Sequence, residues 1–197
     1  MANSNNPQNL PLSRTQILSV MGFTAVILLL VAKLWEKFGS VQMLPLKFTT
    51  DAFVLGIAIA GGITIASSIV YRLWPAYRHS ADYYLELILK PLLWPDLIWL
   101  GLLPGLSEEL LFRGVMLSAF GLNWIALIVS SIAFGVAHFS GSGQWPYVVW
   151  ATIVGLGLGY SAIATGNLLI PIVAHIITNC LSSSLWKAKI KFDFPSS

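Results

Sequence analysis

A chain of 197 residues with 56% hydrophobic and only 10% charged residues is not a soluble domain, where about a quarter of residues carry charge; its length bounds it to one domain, embedded in a membrane. The net charge of +3 and pI near 9.1 do not point to nucleic acid, because the basic residues flank apolar spans and read as topology signals. The lone cysteine, Cys180, excludes an intrachain disulfide and is expected to be a small buried apolar residue rather than a nucleophile.

Residues 1–16 are rich in Asn, Pro and Ser and lack the charged start and cleavage site of a signal peptide, so a disordered tail is expected. Ile17 to Trp35 has about the 20 residues a bilayer requires and, with Lys33, Glu36 and Lys37 at its far edge, reads as an anchor helix. Gly39 to Asp51, with Pro45, connects it to a second span, Ala52 to Trp74, where Gly56, Gly61 and Gly62 permit close helix contact. Pro75 to Lys90 is the long polar segment, with an amphipathic end suited to the membrane surface, and His79 within it reads as an exposed interfacial residue. Residues 17–90 thus hold two spans and a connector. From Pro91 to Phe120 a third apolar stretch is expected to kink at Pro95 and at Pro104-Gly105, with Asp96 in a capping or interfacial role at its start.

Gly121-Leu122-Asn123 makes a tight turn into a fourth span, Trp124 to Phe139. Ser140 to Gln144 turns the chain into a fifth, Trp145 to Ala164, whose Gly155, Gly157 and Gly159 read as helix-packing residues, since no strand precedes them to make a nucleotide loop. Thr165-Gly166-Asn167 leads into a sixth, Leu168 to Trp186, with Pro171 in its first turn, and residues 187–197 form a basic tail. The predicted fold is all-α, a polytopic membrane bundle of about six transmembrane helices with residues 91–186 as its core. Both ends then lie on one side. That side holds Arg14, Arg72, Arg78, Lys90, Lys187, Lys189 and Lys191, against Lys33, Lys37 and Lys47 opposite. The termini are therefore expected to be cytoplasmic, in a bacterial plasma membrane or a thylakoid or other organelle membrane.

The chemistry concentrates in Ser107-Glu108-Glu109-Leu110-Leu111-Phe112-Arg113-Gly114. From Gly114 to Trp186 there is no Asp, Glu, Lys or Arg, so these charges sit beside the least charged part of the chain, where ionisable groups are costly and normally functional. On a helix Glu109 and Arg113 stand at i and i+4 with the acid first, the better-pairing order, while Glu108 points about 100° away. A carboxylate left unpaired in an apolar pocket is suited to general-base work. Rise per residue places Glu108 and His138 roughly 20 and 22 Å from the Gly121 turn, and His175 and Asn179 roughly 12 and 18 Å from the Gly166 turn. With helix three continuous to Phe120, all four reach similar depth, toward the side of the termini. His175 and Asn179, at i and i+4, share a helix face.

These residues resemble the CPBP intramembrane proteases, a family named for CAAX proteases and bacteriocin-processing enzymes and also called Abi. Its three patterns are complete here as Glu108-Glu109-x-x-x-Arg113, Phe134-x-x-x-His138 and His175-x-x-x-Asn179, over about Pro91 to Trp186. The resemblance implies an intramembrane endopeptidase in which Glu108 activates water with His138, Glu109 and Arg113 orient the helix, and His175 and Asn179 donate to the oxyanion. It also implies a metal, Zn2+ or another divalent ion, for which Glu108, His138 and His175 would be the ligands; a metal-free glutamate mechanism is the other option. The expected partners are the lipid bilayer and a membrane-associated peptide or protein substrate. Two other classes compete: a non-catalytic scaffold or immunity-type protein of the same fold, and a small proton or divalent-cation carrier.

Overall fold

A computed structural model describes residues 12–193. Among the described residues the chain is helical, with seven helices: α1 Arg14–Phe38, α2 Thr50–Leu73, α3 Pro75–Leu89, α4 Trp94–Ala119, α5 Trp124–Ala137, α6 Trp145–Thr165 and α7 Leu169–Asp193. The all-α membrane bundle is as expected, although α5 differs from the other spans. α1, α2, α6 and α7 are each long and apolar enough to cross a bilayer. The 14 residues of α5 rise only about 21 Å, short of a hydrocarbon core of about 30 Å.

Local signals explain most boundaries. α1 starts before the expected span because Ser13 caps it: the Ser13 hydroxyl accepts from the Gln16 N–H, and Gln16 Oε1 accepts in return from the Ser13 N–H at 2.8 Å. The expected tail therefore ends sooner, and its residues 1–11 lie outside the described residues. Thr49 and Asn123 cap α2 and α5 in the same manner. Gly166, at φ 58°, takes the left-handed conformation that ends α6. α7 continues to Asp193, so the basic stretch from Lys187 is helical rather than an irregular tail.

The third span holds the largest departures from simple helix. α3 is bent by 109° from α4, so the polar segment is a helix folded back over the bundle, burying Tyr77, Ser80 and Ala81 against it. α4 opens with a 3-10 turn at Trp94–Asp96, passes Pro104 as α-helix, and becomes a π-helix over Leu110–Met116. There the Leu117 N–H reaches back five residues to the Phe112 carbonyl. The loosened carbonyls are used. Phe112 O accepts from Ser130 Oγ at 2.7 Å, and Gly114 O accepts from the Leu44 N–H at 3.3 Å. Asn167 fastens the same connector by accepting from the Lys47 N–H and donating to the Lys47 carbonyl.

α7 packs against α2, α4 and α6, and α5 pairs with α6. Small residues sit at the closest approaches, as lipid-embedded packing requires: Gly56 faces Val173, Gly101 faces Cys180, Gly105 faces Ile176, and Gly135 faces Thr152. Gly155 and Gly159 also lie at contacts, but Gly61, Gly62 and Gly157 have open space beside them and are not packing residues. At the end of the bundle that holds the termini, Arg14 grips Asp96 through Nε and Nη2, both at 2.7 Å, and Asp96 also accepts from the Leu93 N–H. Asp96 thus closes its own turn, as expected, and ties α4 to the start of α1.

Candidate active site

Adjacent carboxylates on α4 meet opposite surroundings. Glu109 is wholly buried: its Oε1 accepts from Arg113 Nη1 at 2.9 Å and from His175 Nδ1 at 2.8 Å. Arg113, equally buried, also donates from Nη2 to the Gly155 carbonyl at 3.1 Å and lies 4.2 Å over the Phe134 ring. The expected i, i+4 pair is present, and it is held from α4, α5, α6 and α7 at once. Gly155 is needed here because a Cβ would stand 3.1 Å from Arg113 Nη2.

Glu108 points away from that pair, as the helical angle requires, into a cavity of about 460 Å³ lined by α1, α2, α3, α4, α5, α6 and α7. His138, Thr178, Asn179, His175 and Ser107 line the same space. It extends from the carboxylate level to Leu12, just before α1, and to Ser183 in the latter half of α7. The three helices carrying the motifs, α4, α5 and α7, therefore deliver their polar groups to one place, as the depth argument expects.

His138 ends α5. Its Nδ1 is 2.9 Å from the Phe134 carbonyl, which can only accept, so Nδ1 carries a proton and, in the neutral ring, Nε2 presents a lone pair. That Nε2 stands 3.8 Å from Glu108 Oε2, a buried oxygen with no hydrogen-bond partner among the described residues. Two acceptors facing each other at this spacing do not bond directly. A water molecule giving one hydrogen to each satisfies both. The two side chains retain 16% and 15% exposure to the cavity, with Oε2 itself buried.

His175 is bonded to Glu109 as well as lining the cavity. Its Nδ1–H is committed to Glu109, so in the neutral ring Nε2 is an acceptor and offers no donor to an oxyanion. Asn179 lines the cavity with a free amide and keeps that capacity. Glu108, His138 and His175 share the cavity, yet among the described residues no three His, Cys, Asp or Glu side chains gather as a metal-ion set. The residues present do not fit a three-ligand ion.

Two residues lay outside the sequence reading. Tyr84 of α3 and Tyr147 of α6 stack at 4.6 Å between ring centroids and flank His138 at 6.5 and 6.1 Å. Tyr84 reaches the site only because α3 folds back, which no periodicity signalled. Ser80 and Gln144, joined at 2.6 Å, hold α3 to the segment after His138. His79 faces out from α3 as expected.

Residues 90–181 match the family model of type II CAAX prenyl endopeptidase Rce1-like proteins. The chain is 30% identical over 138 residues to the uncharacterized protein YpbD of Bacillus subtilis (strain 168), covering 70% of this chain and 68% of YpbD. An uncharacterized 24.3 kDa protein of Escherichia coli is 26% identical over 130 residues, and the chain spans only 58% of its length. The uncharacterized protein YyaK of Bacillus subtilis is 39% identical over 82 residues, 27% of its length. No solved structure matches the chain.

Proposed function

The chain belongs to the CPBP family, and from that membership we propose that this multi-pass membrane protein is an intramembrane endopeptidase using glutamate-activated water. The observation that carries the proposal is the Glu108 and His138 pair, a buried unpartnered carboxylate oxygen facing an imidazole lone pair on a solvent-connected cavity. Glu108 takes a proton from the water it shares with His138 as the water oxygen bonds to the scissile carbonyl carbon. The carbonyl electron pair moves onto its oxygen, where Asn179 donates a hydrogen bond. When the pair returns, the carbon–nitrogen bond breaks, and Glu108 passes its proton to the leaving amine. Glu109, neutralised by Arg113, holds the His175 ring and the level of Glu108 without taking a proton.

The substrate on this reading is a membrane-associated peptide or protein reaching the cavity from the side of the termini, which is the cytoplasmic side. The test is peptide release from membrane proteins by purified wild type and Glu108→Gln, compared by mass spectrometry. Cleavage products present only with wild type are expected. Equal product patterns from the two proteins would refute the peptidase reading in favour of a scaffold.

A further inference from the structure

We propose that the Thr178 hydroxyl is a substrate-contacting hydrogen-bond donor of this site, giving its hydrogen to the carbonyl oxygen of the scissile bond as negative charge develops there. The inference rests on the peptidase reading and gives a role to an unspecified position of its third motif.

A hydroxyl inside a helix ordinarily bonds back to the carbonyl four residues earlier. Ser107, Ser118, Thr152 and Ser183 do so in this chain, at 2.6 to 2.9 Å. Thr178 does not. Its Oγ1 is buried with no hydrogen-bond partner among the described residues, and the residue is 9% exposed. Buried hydroxyls without partners are rare and call for a reason. Ser131, another such hydroxyl, does not line the cavity, whereas Thr178 does, together with Glu108, His138 and Asn179.

The position on α7 supplies the reason. Thr178 follows His175 by three residues and precedes Asn179, so it lies on the helix face that presents His175 to the site. Since the His175 Nδ1–H is spent on Glu109, the imidazole when neutral has no hydrogen for an oxyanion, and Asn179 would then act alone. A hydroxyl can rotate its hydrogen to a new acceptor without moving the helix. Left unbonded in the resting protein, it forms its bond only with substrate in place, the condition under which a contact accelerates the reaction.

The experiment compares purified full-length wild type, Thr178→Val, Thr178→Ser and Glu108→Gln in one detergent. The probe is a membrane peptide cleaved by wild type. Thr178→Val keeps the shape and removes the hydroxyl. It should lower kcat about 10²- to 10³-fold, the usual loss for one oxyanion donor, with KM changed less than about threefold, while Thr178→Ser recovers most of the rate. Its thermal midpoint should equal or exceed that of wild type, because an unbonded buried hydroxyl contributes nothing to stability. Wild-type kcat in Thr178→Val beside an inactive Glu108→Gln overturns the role of Thr178 and leaves the peptidase reading intact. A marked fall in its thermal midpoint makes the hydroxyl structural and overturns the role whatever the rate. A fully active Glu108→Gln removes both readings together.

Discussion

The two faces of α4 around residue 108 carry the same chemical group in opposite states. On one face Glu109 is ion-paired, with Arg113 and His175 both on its Oε1 and Arg113 further tied to Gly155 and Phe134, although Glu109 Oε2 and Arg113 Nε have no hydrogen-bond partner among the described residues. On the other, Glu108, Thr178 and Asn179 open onto a cavity, and Glu108 Oε2 and Thr178 Oγ1 have no hydrogen-bond partner among the described residues. One peptide bond separates the two carboxylates. The difference teaches that burial of charge alone does not mark chemistry here. Pairing makes Glu109 part of the framework, and the lack of it makes Glu108 available to water.

The comparison is broken most sharply by exchanging one oxygen for nitrogen on the open face. Glu108→Gln should lose about 10² to 10⁴ in turnover, the usual contribution of a general base, with an unchanged thermal midpoint, since no bond of Glu108 Oε2 within the protein is lost. Turnover assay and thermal unfolding on the same preparation check this. A destabilised Glu108→Gln with little change in rate would place Glu108 in the framework instead.

On the ion-paired face the expected effect is the reverse in kind. Arg113→Ala leaves Glu109 as a buried carboxylate with only His175 beside it, and loss of one partner from a buried pair commonly costs about 3 to 5 kcal/mol. Yield and thermal stability should therefore fall along with activity. An Arg113→Ala protein that is inactive yet as stable as wild type would move Arg113 to the reacting groups.

Asn179→Ala sharpens the comparison from α7. Its amide faces the cavity, so a loss of about 10² to 10³ in kcat is expected with KM nearly constant, read from full progress curves. A changed KM at constant kcat would make Asn179 a ground-state contact.

Much of this arrangement was legible before any coordinates. Helical rise and the positions of the turns put Glu108, His138, His175 and Asn179 at one depth, and the 100° step between neighbouring residues separated Glu108 from Glu109. Both follow from local helix geometry, which the sequence specifies directly. The illegible parts depend on packing between distant segments. The π-helix at Leu110–Met116 is stabilised by Ser130 and Leu44 bonding its carbonyls, and neither partner is near in sequence. Tyr84 joins Tyr147 because of the 109° bend after α3, where Pro91 and Pro95 mark a break but not its angle. The bond between His175 and Glu109 joins residues 66 positions apart, which helix spacing does not signal. Glycine spacing misled as well, since Gly157 lies in the same run as Gly155 and Gly159 without sharing their contacts.

That last contrast gives the smallest effects and a test away from the site. Gly135 faces α6 so closely that a Cβ would meet Thr152 Oγ1 and stand 2.8 Å from the Val148 carbonyl, and backbone cannot yield as a side-chain end can. Gly135→Ala should cost about 1 to 3 kcal/mol by overpacking. Gly157, on the same α6 helix, has nothing within 4 Å of its would-be Cβ, so Gly157→Ala meets no obstacle and gains helix propensity, about 1 kcal/mol in an exposed interior position. Thermal midpoints measured side by side in one detergent should therefore move in opposite directions, with turnover of Gly157→Ala unchanged. If both alanines destabilise, Gly157 faces a partner helix after all, and the α6 surface described as open is an interface.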